Sequence, residues 1–252
     1  MKSHSSGYRV IRSGAALTLA LIMAIILMTP CVAFPDALKE VKRDSFSPDG
    51  IRDVMRKACD YQLDLQARNA ATLKSDINHE WVKGSFYTGV MALFEATGDS
   101  KYLNSALQYG EGKKWELDIP DTRNADWQCI GQVYLELYLM KKDPGMLAGI
   151  KRNMDAQMAA PKPGRVDWWW CDALYMAPPV LVRLYAATGE KKYLDYLNTM
   201  YWDTWDFLYD REEHLFFRDK NYFNAKTKNG RKVFWSRGNG WVLGGLARIL
   251  KY

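Results

Sequence analysis

One local plan recurs along the chain. "SFYTGVMALFEATGDSKYLNSALQYG" and "DALYMAPPVLVRLYAATGEKKYLDYLNTMY" share an aromatic-led apolar helix, an ATG turn followed by an acid, and a Lys-Tyr-Leu opening to a second helix. Between them, "DWQCIGQVYLELYLMKKDPGMLAGIKRNM" repeats the plan with DPG as its turn, and "SRGNGWVLGGLARIL" opens a fourth unit. Leu93, Leu137 and Leu184 close the first helices at spacings of 44 and 47 residues. Repeats of roughly 20–50 residues mark stacked units, none of which buries its apolar face alone. An all-α stack of helical hairpins follows, either an open superhelix or a toroid. The toroid is favoured, because each first helix begins with aromatic, charged or glycine-rich residues that an ordinary core would waste. In a ring these openings converge at one end and form a pocket.

Local signals refine the plan. "GIRDVMRKACDYQLDLQ" places Ile51, Val54, Met55, Ala58 and Tyr61 at three- and four-residue steps, the pattern of a buried helix face. The glycine of each ATG turn suits a left-handed helix terminus. Pro178 and Pro179 are expected to kink or reset the third first-helix after its opening turns. Between Tyr209 and Trp235, short aromatic runs around Asn229-Gly230 predict a β-hairpin or ordered loop over one end of the helices.

The amino terminus reads as a secretory signal. Lys2, Arg9 and Arg12 precede the uncharged run "AALTLALIMAIILM", and cleavage is expected after Ala33. The run is short for a span of about 20 residues, so a membrane anchor is disfavoured. Residues 34–252 are expected to form an exported domain, with no membrane contact once the signal is removed. Removing 1–33 lowers the formal charge from +6 to +3, which gives no support for a nucleic-acid partner. Cys59, Cys129 and Cys171 lie far apart without a CxxC pair, so core packing is expected rather than a zinc site or a disulfide framework. Ten Trp and fifteen Tyr suit the stacking of sugar rings, although large aromatics also fill helical cores.

Four openings carry the candidate chemistry: "HEWVKGSFY", "RNADWQC", "DWWWCDALYM" and "FWSRGNGW". Asp172 lies among indoles and apolar residues. If 168–176 is helical, Trp168, Trp169, Tyr175 and Met176 fall on neighbouring turns beside it. Such a wall raises a carboxyl pKa, and a second carboxylate, with Asp126 the candidate, raises it further. The pair then reads as acid–base machinery. Trp81 and Tyr87 from the first opening, and Arg237 and Trp241 from the last, complete the candidate substrate contacts. The alternatives are structural: Asp167 as an N-cap, Asp126 as a cap, Asp172 as a buried acid tied to a structural partner, and His79 and His214 as structural residues.

Taken together, "WWWCDALYMAPPVLVRLYAATGEKKYL", "NADWQCIGQVYLELY" and "FWSRGNGWVLGGLARIL" resemble the unsaturated uronyl hydrolases, both rhamnogalacturonyl and glucuronyl, from about residue 50 onward. The resemblance implies an (α/α)6 toroid acting on oligosaccharides that carry a 4,5-unsaturated uronic acid at the non-reducing end. By its motifs, Asp172 protonates C4 and helps activate water for C5, Asp126 is the second family aspartate, and Arg237 and Trp241 bind substrate. No metal or cofactor is implied. The chain departs from the rhamnogalacturonyl pattern at "LFFRD", where Arg218 stands in the place of a histidine. About four hairpins are expected, an incomplete ring with apolar flanks exposed on its first and last units. Two other readings stay open: another sugar-active toroid, such as an epimerase, for which three histidines are few, and an exported glycan-binding repeat protein without chemistry.

Overall fold

The structure, a computed structural model, describes residues 46–71, 80–162 and 165–252. The signal segment 1–33 and His79 lie outside the described residues. Residues 52–252 form one compact unit. Its helices are α1 (Pro48–Ala71), α2 (Glu80–Thr97), α3 (Ser100–Gly112), α4 (Ala125–Gln128), α5 (Gly131–Lys141), α6 (Gly145–Ala159), α7 (Ala173–Met176), α8 (Pro178–Thr188), α9 (Lys192–Leu208) and α10 (Ser236–Ile249). Strands β1 (Tyr209–Asp210) and β2 (Leu215–Phe216) pair antiparallel between α9 and α10.

The pairwise packing is that of a hairpin toroid. The long first helices form a row in which α2 packs on α5, α5 on α8 and α8 on α10, while α3, α6 and α9 each pack on their own partner. A second row runs across one end: α2 contacts the short helix α4, α4 contacts α7, and α7 contacts α10. Every opening singled out from the sequence therefore lies on this one chain of contacts. Leu93, Leu137 and Leu184 are all buried in the hydrophobic core. Gly98 and Gly189, in the ATG turns, have φ of 68° and 74°, the left-handed backbone expected of them.

The two prolines do reset the third unit. Pro178 and Pro179 begin α8 after α7 ends at Met176. Lacking N–H groups, they leave the carbonyls of Leu174 and Tyr175 without helical donors. Gln132 Nε2 of α5 donates to Tyr175 O at 2.9 Å, and Arg248 Nε of α10 donates to Gln132 Oε1 at 2.6 Å. Leu174 O instead faces the backbone of α10 at Gly245, where an added Cβ would lie 2.2 Å from it. Glu136 Oε1 joins the same network, accepting from Arg183 Nε at 3.1 Å and Arg248 Nη2 at 2.9 Å. One buried polar cluster thus ties α5, α8 and α10 to the break.

Three expectations are corrected. The face of Ile51, Val54 and Tyr61 on α1 is 48%, 59% and 64% exposed, while Cys59 is buried and Met55 half-buried. The helix is tied to the α2/α3 hairpin at Asp60, which accepts from Tyr102 Oη at 3.1 Å and from Lys101 Nζ at 3.0 Å. Residues 165–171 are not helical: Trp170 bridges Asp219 in an antiparallel pair, and Cys171 N donates to Arg218 O at 2.9 Å. Asp167 is not an N-cap. Arg123 holds it in a bidentate pair at 2.8 and 2.6 Å, locking the α4 opening to the α7 opening. The turn signal near Asn229-Gly230 does form, with Thr227 N donating to Arg231 O and a Lys226 to Lys232 bridge.

Gly245→Ala places a methyl against backbone, which cannot rotate away as a side chain can. A loss of about 1–3 kcal/mol is expected, read as a lower midpoint in denaturant unfolding. An unchanged midpoint would show that the α7/α10 contact is loose.

Candidate active site

Asp172 stands at the start of α7, half-buried, with its side chain making no capping bond. The Cys171 thiol lies 3.3 Å from Asp172 Oδ1 and donates to it. Burial, the strongest influence, raises the Asp172 carboxyl above its ordinary pKa; the thiol, Arg218 and Arg237 pull it down without reversing the shift. Such a group keeps its proton further toward neutrality than a free aspartate, while cations stand ready to stabilise it once ionised. The Cys171 thiol is itself pushed up, first by burial and then by Asp172, so it serves as a donor rather than a thiolate. Gly238 on α10 makes room for it: a Cβ there would lie 2.7 Å from Cys171 Sγ.

The arginines share one indole. The Arg237 guanidinium lies 4.5 Å from the Trp235 ring centroid and 5.9 Å from that of Trp81, and Arg218 lies 5.9 Å from Trp235. Trp81 meets Trp241 edge-on at 6.2 Å, and Trp241 meets Tyr175 at 4.6 Å. Tyr175 Oη and Thr88 Oγ1 are 2.8 Å apart, which fixes this aromatic wall to α2. Asn239 pins the start of α10, accepting from Phe216 N at 2.8 Å and donating to Phe216 O at 3.0 Å. Asp172, Arg237, Trp81 and Trp241 are therefore brought into one neighbourhood from three openings.

Asp126 sits in the first turn of α4, where Asn124, rather than Asp126 itself, supplies the cap by accepting from Asp126 N at 2.9 Å. Because α4 packs on α7, the two candidate carboxylates occupy adjoining short helices. The strongest charges felt by Asp172 are nonetheless those of the arginines. The field of Asp126 falls on the Cys129 thiol, which burial first, opposed by Arg248 and then reinforced by Asp126, pushes up to about 12. The other candidates lie elsewhere. Trp168 and Met176 are each 1% exposed in the core. Tyr87 is buried, with its ring 4.2 Å from Tyr109 and its hydroxyl donating to Gln66 at 3.3 Å. Trp169 is 41% exposed and faces a neighbouring cleft. His214 lies in the β1–β2 turn, with Nδ1 3.2 Å from Tyr209 Oη.

Sequence reasoning had passed over Trp235, Cys171 and Asn239. The signal for the first and last was their place in "FWSRGNGW"; for Cys171 it was adjacency to Asp172. Among the described residues, no group of three His, Cys, Asp or Glu is arranged to hold a metal ion, no helix is long and apolar enough to cross a membrane, and all three cysteines are free and buried.

Stacked hairpins that gather an acid, arginines and indoles at one end define a helical-toroid, sugar-acting class of protein. Residues 54–252 match the model of glycosyl hydrolase family 88, and the chain belongs to that family. It is 33% identical over 249 residues to a curated unsaturated 3S-rhamnoglycuronyl hydrolase of Formosa agariphila, covering 90% of this chain and 64% of that protein. Among solved structures, one titled a polysaccharide lyase superimposes with a TM-score of 0.71 at 29% identity, over 81% of this chain and 60% of that one. A family 88 glycosyl hydrolase from Bacteroides vulgatus gives 0.68 at 28% identity, over 81% and 61%. The chain thus spans under two thirds of the length of these proteins.

Asp172→Asn removes the buried ionisation. Since the folded carboxyl's pKa lies above its ordinary value of 3.8, the folded state bears the cost of ionisation above the folded pKa and none below 3.8. The melting temperature of the variant relative to the wild type should therefore rise as pH is taken from below 4 to neutrality. A pH-independent difference would remove burial as the controlling influence.

Proposed function

We propose that the chain is a glycoside hydrolase of the unsaturated uronyl type, exported by its amino-terminal signal, which removes a 4,5-unsaturated uronic acid from the non-reducing end of an oligosaccharide. The name of the curated relative points to rhamnose as the sugar next to that uronate. The observation that carries the reading is Asp172: a carboxyl raised by burial, held by a thiol, and flanked by Arg218 and Arg237.

Protonated Asp172 gives its proton to C4 of the enol ether, and the positive charge develops across C5 and the ring oxygen. Water adds at C5 and returns a proton to the carboxylate, with Asp126 the second carboxylate at hand. The hemiketal so formed opens by breaking its C5–O bond, and the hemiacetal left at C1 collapses and frees the neighbouring sugar. One water is consumed, and neither metal nor cofactor takes part. Arg237 suits the uronate carboxylate through paired N–H donors, and Trp241 and Trp81 suit the sugar's apolar face. Because the bond is broken through a vinyl ether, the separation of the carboxylates does not set stereochemistry as it does in ordinary glycosidases.

Turnover destroys the conjugated double bond, so the loss of its ultraviolet absorbance measures the reaction. Wild-type chain mixed with an unsaturated uronyl-rhamnose disaccharide should consume the signal; Asp172→Asn should lower the rate at least about 100-fold, within the range of a lost general acid. Arg237→Ala should act mainly by raising KM. A wild-type chain that binds the disaccharide but leaves its absorbance intact would favour the binding-module reading.

A further inference from the structure

The two carboxylates of the proposed reaction sit on helices of a single turn. Asp126 lies in α4, which is 4 residues long, and Asp172 stands at the start of α7, also 4 residues long. A first turn fixes about three residues for one hydrogen bond, so neither helix holds itself in place. What sets one carboxylate relative to the other therefore comes from the surroundings of the two turns.

α4 is held by α6. Asn153 Nδ2 donates to Thr122 O at 2.9 Å ahead of the turn, and Gln128 Nε2 at its end donates to Gln157 Oε1 at 2.6 Å and to Asn153 Oδ1 at 3.0 Å. The stretch that leads into α7 is held elsewhere. Thr204 Oγ1 of α9 donates to Trp168 O at 3.3 Å, Trp170 bridges Asp219, and Cys171 N donates to Arg218 O at 2.9 Å. These bonds tie each turn to a different part of the molecule, and none of them joins one turn to the other.

Arg123 and Asp167 make that join. Arg123 Nε and Nη2 donate to the two carboxylate oxygens of Asp167 at 2.8 and 2.6 Å, and Arg123 Nη1 donates to Gln157 O at 3.3 Å. Asp167 is buried, and the Arg123 side chain is largely covered. A paired fork fixes rotation as well as distance, which a single contact does not. In sequence, Asp126 follows Arg123 by three residues and Asp172 follows Asp167 by five, so each carboxylate hangs on a short tether from the bridge.

We propose that Arg123 and Asp167 are positioning residues for the hydrolysis, whose bridge sets Asp126 relative to Asp172 so that both carboxylates meet one bound uronate. The proposal rests on the hydrolase reading above. A buried ion pair repays its desolvation poorly, so what it adds over an apolar contact between the two openings is geometry. Neither side chain touches the substrate; both act through the segments they join. A misplacement of about 1 Å can cost on the order of 100-fold in rate, so a loosened bridge weakens turnover. Binding depends instead on Arg237, Trp81 and Trp241, which the bridge does not hold.

Turnover of an unsaturated uronyl-rhamnose disaccharide by the full chain, read as loss of ultraviolet absorbance, tests the proposal in Arg123→Lys. Lysine keeps the charge that Asp167 requires and loses the fork. The kcat should fall about tenfold or more while KM changes less than about twofold. Thermal melts establish that the variant is folded at the assay temperature. If it is not, Arg123→Gln with Asp167→Asn, which leaves no buried charge unpaired, takes its place with the same expected split. In an Asp126→Asn background the substitution should cost less than about twofold, because a bridge that acts by placing Asp126 then has nothing to place. A folded variant with wild-type kcat, a change confined to KM, or a full loss that persists in the Asp126→Asn background reduces the pair to a structural staple and leaves the hydrolase reading standing. A wild-type chain without turnover removes the hydrolase reading and the positioning role with it.

Discussion

The structure turns on a helix that is broken on purpose. Pro178 and Pro179 end the hydrogen bonding of α7 and start α8 afresh, which frees the carbonyls of Leu174 and Tyr175 from helical donors. Gln132 reaches Tyr175 O from α5, and the backbone of α10 closes on Leu174 O at Gly245. Buried polar groups are tolerated best when satisfied, so the break depends on Gln132 of α5, held by Arg248 of α10, standing in register with Tyr175 O. That requirement sets α7 at the end of the row and, with it, the direction in which Asp172 is presented.

From this placement the electrostatics follow. An acid inside an uninterrupted helix among apolar neighbours would have no access to solvent or substrate. At the start of a detached turn, Asp172 is half-buried: desolvated enough for its carboxyl to lie above the ordinary value, yet near two arginines and an indole wall. Burial favours the protonated form and the arginines favour the ionised form. A group that must release and regain a proton within one turnover is served by such opposition. Cys171, beneath it, orients the carboxylate with a weak donor and no competing charge.

Much of this was legible in the sequence. The hairpin repeat, the ATG turns and the double proline are local signals, and each formed as its chemistry required. The neighbourhood of Asp172, Arg237, Trp241 and Trp81 followed from one inference, that ring-like stacking gathers the openings. What was not legible depended on distant partners. Trp168 to Trp170 read as helical until Asp219 supplied a strand partner, and Asp167 read as a cap until Arg123 supplied a counterion. Neither partner is recoverable from periodicity. On α1, the pattern identified the helix but not that Ile51, Val54 and Tyr61 stay exposed, because an apolar stripe records what a face is suited to meet rather than what meets it.

The central claim is that Asp172 delivers its proton to carbon. Reaction in deuterium oxide with an unsaturated uronyl disaccharide, followed by proton and carbon NMR of the product, reads this directly. The account predicts one deuteron at C4 of the released uronic acid, on a single face, formed by the wild type and absent with Asp172→Asn. Product without deuterium at C4, or deuterium delivered equally well by Asp172→Asn, would contradict it.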